Sequence, residues 1–214
     1  MKRPPTGREL TPWETDPPDD ESGKSLSEVL RDGVMVPSRL DEKDASQIAV
    51  RVAPIGYRGI IRQLAREYRV SYSSFHLHAL DHGIAKLNVQ EPIISLRRAY
   101  DQTSSAAMSS GDSDALTRLN QVATYEFKHP QALRTTLTVT NQTAARIGDL
   151  AIVCGMPSPR LAVLTVLVSV LTLPNNRGYR DALVDEVEAF QRFVVYRRRV
   201  LLMGDAPGGR GRLR

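Results

Sequence analysis

Three histidines, His76, His78 and His82, fall close together, and His78 and His82 stand one helical turn apart, as zinc ligands can. A zinc site needs further donors, and the neighbouring acid, Asp81, points to another side of the same helix. The three histidines are therefore expected to form a polar, exposed helix face without a metal. Cys154, the only cysteine, sits among apolar residues, which suits a buried, inert thiol better than a nucleophile. A single cysteine excludes an intrachain disulfide and fits a reducing compartment. No nucleophile elbow, phosphate-cradling glycine loop or metalloprotease pattern occurs. No catalytic residue and no cofactor are expected, so the chemistry on offer is hydrogen bonding and charge.

That chemistry concentrates on one short segment. Ile48, Val50 and Val52 alternate with Gln47, Ala49 and Arg51, the period of a strand with one covered face and a guanidinium on the wet one. Ile60, Ile61, Leu64 and Tyr68 then recur at helical spacing. Val70 and Ser71 break the run, with Ser71 placed to cap a second helix that carries Phe75, Leu77, Leu80, Ile84 and Leu87. Strand, helix, turn and helix return in the same order between Arg134 and Leu173. At an offset of 86, Ile61 matches Ile147, Leu64 matches Leu150, Ala65 matches Ala151 and Leu87 matches Leu173. The strands match at an offset of 87, Val50 with Leu137 and Val52 with Val139. By the same alternation, Arg134, Thr136 and Thr138 point outward in the second strand.

The chain around these copies divides by composition. Residues 1–44 read as a disordered, acidic, proline-rich arm, although Ser25 and Glu28 have capping-box spacing ahead of Leu26, Val29 and Leu30 and predict one short helix there. The arm is either a solvated tail or a docking segment for a protein partner. Residues 45–88 and 132–174 are the two copies, and 89–131 is a helical insert. Within the insert, one helix is predicted from Pro92 to Tyr100 and another from Asp112 to Phe127, with Leu116, Leu119, Val122 and Ala123 on one face. SSAAMSSGDS reads as a flexible joint between them. Tyr179, Leu183, Val187, Phe190 and Val194 trace a long helix over residues 175–203, and residues 204–214 form a basic, flexible tail.

Charge follows the same division. Residues 1–46 hold 7 basic and 11 acidic side chains, while residues 47–214 hold 22 and 13, so the cations gather on the folded part. A basic body favours polyanions such as nucleic acid. The first 24 residues are polar and carry no apolar signal segment, and the apolar run from Leu161 to Leu173 is too short to cross a bilayer. The expectation is a soluble, cytoplasmic protein that does not engage membranes.

The segment from Gln47 to Leu80 resembles the ribbon-helix-helix family of DNA-binding proteins. Ile48, Val50, Arg51 and Val52 match its strand, Pro54 its proline near the helix start, Leu64 and Ala65 the end of its first helix, and Val70, Ser71 and Ser73 its turn. The second copy keeps Leu137, Val139, Leu150, Ala151 and Gly155, but lacks the proline before its first helix and inserts Pro157, Ser158 and Pro159, which shifts the expected cap by one residue to Ser158. The first copy carries Arg69 where the family usually has glycine.

The resemblance implies a mainly α fold with a short antiparallel β-ribbon: two strands paired, four core helices interlocked, and accessory helices around them. One strand with open edges and two short helices cannot enclose a core, so the family dimerises; two copies in one chain would form an internal pseudo-dimer, a monomer in solution with higher oligomers possible on DNA. The connecting residues, about 46 in number, could extend over roughly 150 Å and so impose no limit. The all-apolar second helix of copy two, with Leu164 and Val168 where copy one has His78 and His82, must be covered by the C-terminal helix or the insert.

The family inserts its ribbon into the major groove of double-stranded DNA. By that resemblance Gln47, Ala49, Arg51, Arg134, Thr136 and Thr138 read bases, and Arg51 is the strongest reader. Phosphates fall to Ser71, Tyr72, Ser73, Ser158 and Arg160 at the helix starts, and to Arg197, Arg198 and Arg199 outside the groove. Because the two strands differ, the site is expected to be asymmetric. The function so implied is transcription regulation, as a repressor on a bacterial, phage or plasmid genome. The alternative is a protein-interaction, partition or assembly module that keeps the core without reading DNA, and pairing of copies between chains instead of within one also stands open.

Overall fold

The computed structural model describes residues 24–32, 44–50, 56–122, 135–174 and 180–204. Among them are ten elements: α1 (Leu26–Arg31), β1 (Ala45–Val50), α2 (Tyr57–Glu67), α3 (Tyr72–Val89), α4 (Glu91–Ser110), α5 (Ser113–Asn120), β2 (Thr135–Thr140), α6 (Asn141–Cys154), α7 (Ser158–Thr172) and α8 (Arg180–Met203). The protein is mainly helical with one two-stranded antiparallel sheet. Arg51, Val52, Pro54, Ala123, Arg134, Tyr179 and residues 205–214 of the basic tail lie outside the described residues.

The ribbon joins segments about ninety residues apart. Ile48 stands opposite Leu137, Gln47 opposite Thr138 and Ala49 opposite Thr136. Period-two alternation sorts the side chains: Val50, Leu137 and Val139 are buried, while Gln47, Ala49 and Thr136 are exposed and Thr138 is half-buried. Each strand lies on the long helix of the other copy, β1 on α7 and β2 on α3. Burial of the ribbon's apolar face therefore requires both copies.

The helical hairpins α2–α3 and α6–α7 repeat bond for bond. Val70 N donates to Ala65 O at 3.0 Å, and 86 residues later Met156 N donates to Ala151 O at 3.0 Å; Arg69 N to Arg66 O recurs as Gly155 N to Ile152 O. These bonds close a Schellman turn, which needs a left-handed residue just past the helix end. Arg69 takes it at φ 56° and Gly155 at φ 62°. The next helix starts in step too: Phe75 N bonds Ser71 O and Leu161 N bonds Pro157 O. The cap of α7 is Pro157 and not Ser158, so the expected one-residue shift does not occur; Pro157 has the φ a cap tolerates, and Ser158 and Pro159 form the first turn.

Helices α3 and α7 cross at the centre of the molecule, with the ribbon on one side of α7 and α8 on another. From Leu161 to Leu171 every residue of α7 is buried, and Leu164 and Val168 are wholly so. Helix α8 supplies the expected cover with Leu183, Val187, Phe190 and Val194 buried along one stripe.

The insert departs from expectation. Helix α4 runs on to Ser110 through the serine- and alanine-rich stretch read as a joint, and only Gly111, left-handed at φ 64°, ends it. Its small residues are not solvated: Thr103 and Ala107 are buried, and Thr103 Oγ1 donates to Leu201 O of α8 at 3.1 Å. Helix α5 stops at Asn120 and turns Ala115 and Leu119 inward, leaving Leu116 and Val122 exposed. In the arm the short helix expected from Ser25 and Glu28 forms as α1 with its capping box, and it buries Leu26 and Leu30 against the core beside α3.

Candidate nucleic-acid interface

The outward face of the ribbon presents an amide at Gln47, a methyl at Ala49, and hydroxyls with methyls at Thr136 and Thr138. Strand spacing of about 4.8 Å makes such a ribbon narrow enough for a B-DNA major groove roughly 12 Å wide. The face is fixed from beneath by Leu137, Val139 and Val50, so its side chains stand on a rigid base. Helix α6 begins with no loop after β2: Thr140, the last strand residue, caps it by accepting from Thr143 N at 3.0 Å. Asn141 N donates to Asp44 O at 3.0 Å, which ties the start of α6 to the strand opposite.

At the start of α3, Ser71 accepts from Ser74 N at 3.0 Å and satisfies one of the open amides. Ser71 and Ser73 are exposed and Tyr72 is half-buried, its ring edge-on to His76. The start of α7 is a poorer anion site. Pro159 has no N–H, and Arg160 N already donates to Pro157 O at 3.0 Å. Ser158 and Arg160 are both half-buried.

The arginine triplet separates by helical phase. Arg198 and Arg199 are exposed on α8, but Arg197 is only 3% exposed. Its guanidinium donates to Arg118 O at 2.7 Å, Leu119 O at 2.7 Å and Gln121 O at 3.1 Å, gathering the open carbonyls at the end of α5. Burial lowers its pKa from the usual arginine value. Assignment of Arg197 to DNA phosphate is thereby corrected: it is a bolt between α8 and α5.

The histidines are corrected as well. His76 is 1% exposed, its Nδ1 lies 2.9 Å from Tyr72 O and its Nε2 lies 3.0 Å from Tyr57 Oη. A carbonyl can only accept, so Nδ1 carries the proton and Nε2 accepts from the tyrosine. Burial pushes His76 down to about 4, which leaves it neutral near pH 7. His82 is buried too, and His78 is half-buried, so the three do not make an exposed polar face. Among the described residues no three His, Cys, Asp or Glu side chains gather as metal ligands. Cys154 is fully buried, and burial raises its thiol to about 12, the inert character expected of it.

Sequence reading missed the residues that join the copies. Thr143 Oγ1 donates to Asp81 at 2.8 Å, linking α6 to α3, and Ser169 Oγ donates to Ala79 O, linking α7 to α3. No single described helix is long and apolar enough to cross a membrane; α6 and α7 reach that length only as a pair bent by 102°. The chain matches no protein-family model, and no curated protein or solved structure matches it either.

Proposed function

We propose that this chain is a sequence-specific double-stranded DNA-binding protein of the ribbon-helix-helix kind, built as a covalent pseudo-dimer that lays its β-ribbon in the major groove. The observation that carries the reading is the ribbon itself: two antiparallel strands from separate copies, each seated on the other's helix, with hydrogen-bonding side chains standing outward at Gln47, Thr136 and Thr138. The excess of cations over residues 47–214 supports it through attraction to phosphate. Arg51 and Arg134 join the readers on the grounds of sequence alternation. Ser71, Ser73, Arg198 and Arg199 are the exposed candidates for backbone contact. The role that follows is occlusion of a promoter or organisation of a short DNA site, without catalysis.

Fluorescence anisotropy on duplex DNA across a salt series tests this. Binding should weaken steeply with salt, and Arg51→Ala or Gln47→Ala should cost roughly 5- to 150-fold on the preferred sequence. Salt-independent binding, or none, would leave only an assembly module with this core. Light scattering should give a monomer of 23.8 kDa, as internal pairing requires.

A further inference from the structure

Helix α8 has two faces, and the core accounts for only one of them. Its inner stripe of Leu183, Val187, Phe190 and Val194 is buried. The outer face of such a helix ordinarily carries polar and charged residues. On α8 that face holds Val195, Tyr196, Leu202 and Met203, each of them 45% or more exposed. Single apolar residues scattered over a surface are ordinary, but a contiguous group marks an interaction site. These four are ordered: Val195 recurs as Leu202 and Tyr196 as Met203, seven residues on, and Arg192 recurs as Arg199 at the same interval. At about 100° per residue the three pairs form one band along the helix, with Val195 and Leu202 on one edge, Tyr196 and Met203 on the other, and the two arginines between them. A seven-residue interval is the one at which a second helix lying along α8 would meet it repeatedly.

The charge on this band has one sign. No acidic residue occurs from Ala189 to Met203. Arg192 approaches Glu188 at 3.8 Å in an ion pair open to solvent, and Arg198 and Arg199 have no ion-pair partner among the described residues. A second copy of the chain would set this row of arginines against itself, which like charges oppose. A bilayer favours apolar residues along the middle of a helix face with cations at its flanks, and here the arginines hold the middle. DNA phosphates would use the arginines and leave four large apolar side chains in water. A helix with carboxylates opposite Arg192 and Arg199 and apolar residues to either side satisfies all three pairs, since a guanidinium accepts a carboxylate in two parallel bonds. Tyr, Met and Arg are also among the side chains that protein interfaces concentrate.

We infer that the outer face of α8 is a docking surface for an acidic amphipathic helix of a partner protein, its carboxylates on Arg192 and Arg199 and its apolar residues on the Val195–Leu202 and Tyr196–Met203 edges. Helix α8 packs on α4, α7 and α5, whereas the ribbon packs on α3, α6 and α7, so this surface is separate from the ribbon face. The inference stands apart from the DNA-binding function proposed above.

The experiment is selection of displayed random peptides, about 16 residues long to allow roughly four helical turns, on the full chain. Affinities of the enriched peptides are then measured by fluorescence anisotropy against two double variants, Tyr196→Ser with Leu202→Ser and Arg192→Glu with Arg199→Glu. Enriched peptides should combine Asp or Glu with Leu, Ile or Phe at helical spacing, and should lose roughly 5- to 30-fold in affinity for each double variant. Replacing the carboxylates of a peptide by lysine ammonium groups should restore binding to the charge-reversed variant alone. No enrichment, enrichment of neutral or basic peptides, or equal binding to wild type and both variants overturns the proposal. The serine variant also tests the other occupants: loss of binding to phosphatidylserine vesicles, of binding to duplex DNA, or of self-association in sedimentation velocity would give the face to that occupant and overturn the proposal too. Unfolding midpoints equal to that of the wild type, as expected for exposed positions, separate lost docking from lost fold.

Discussion

Gly83 on α3 lies so close to the main-chain carbonyl of Thr165 on α7 that a β-carbon added there would stand 2.3 Å from that oxygen and 2.6 Å from Ser169 Oγ. Glycine is the only residue that lets the two long helices cross at this distance. Where its counterpart Ser169 stands, the side chain instead turns and bonds Ala79 O. The close approach at the centre thus uses a glycine from one copy and a hydroxyl from the other.

Gly83→Ala should therefore destabilise the fold despite alanine's better helix propensity. Overpacking against a backbone carbonyl costs about 1–3 kcal/mol, against a propensity gain of about 1 kcal/mol at most. Because the carbonyl cannot swing away as a side-chain end can, the upper part of that range is expected. Urea unfolding of the variant should show a lower midpoint with unchanged slope. Equal or greater stability would mean that the helices part easily here.

Arg69 and Gly155 occupy the same turn position at φ 56° and φ 62°, so opposite substitutions should act in opposite directions. A left-handed non-glycine residue costs about 1–2 kcal/mol, and glycine returns roughly 0.5–1 kcal/mol of that through the freedom of the unfolded chain. Arg69→Gly should stabilise by about 0.5–1 kcal/mol. Gly155→Ala should destabilise by more than the backbone cost alone, because the added carbon would meet the Arg197 guanidinium at 2.7 Å. Thermal unfolding of the pair should shift the midpoint by about 2–4 °C per kcal/mol, upward for the first and downward for the second.

These two residues also mark what the sequence made legible. The turn at Gly155 and Arg69 was visible because Leu64 and Ala65 recur as Leu150 and Ala151 just before it, and periodicity reports such positions directly. The alternation of Ile48 and Val50 with Gln47 and Ala49 likewise located the ribbon face. The end of α4 was hidden, since Ser104, Ser105 and Ala106 have the composition of a linker, and the burial of Thr103 and Ala107 that supports a helix there is tertiary. Arg197 looked like its neighbours by composition, but it continues the stripe of Phe190 and Val194 at the next inward position, and that phase was available to be read. His76 gave no such signal, because its partner Tyr57 is nineteen residues away on another helix.

Arg197 and its neighbours should separate cleanly in experiment. Arg197→Met keeps the stem and removes the donors, leaving the carbonyls of Arg118, Leu119 and Gln121 without the guanidinium they share. Loss of charge-assisted bonds at a buried site should cost about 2–4 kcal/mol. The salt slope of the proposed DNA binding, measured below the unfolding transition, should stay as in the wild type. Arg198→Ala and Arg199→Ala should leave stability within about 0.5 kcal/mol. Each would lower the salt slope by about 1 if its guanidinium sits on a phosphate. A lowered slope for Arg197→Met would contradict its burial.

His76 gives the fold a defined acid limit. Its folded value lies at about 4, below an ordinary 6.5, because burial disfavours the imidazolium. Between those values the unfolded chain binds the proton and the folded chain does not, so acid favours unfolding. The stability that the neutral ring preserves is fully present above pH 6.5 and falls away as the pH drops towards 4, by about 3 kcal/mol in all. Asp81 works against this loss, since burial raises its carboxyl above the usual value and a raised acid gains stability as the pH falls. Glu28 and Asp112, both held low by hydrogen bonds to their helix starts, lose stability at lower pH than His76 does. Urea midpoints measured from pH 8 to pH 4 should therefore decline in the wild type from about pH 6.5 downward. His76→Gln, whose amide can still donate to Tyr72 O and accept from Tyr57 Oη, should begin lower but flatten over the same range; a variant that kept the wild-type slope would assign the acid limit to another group.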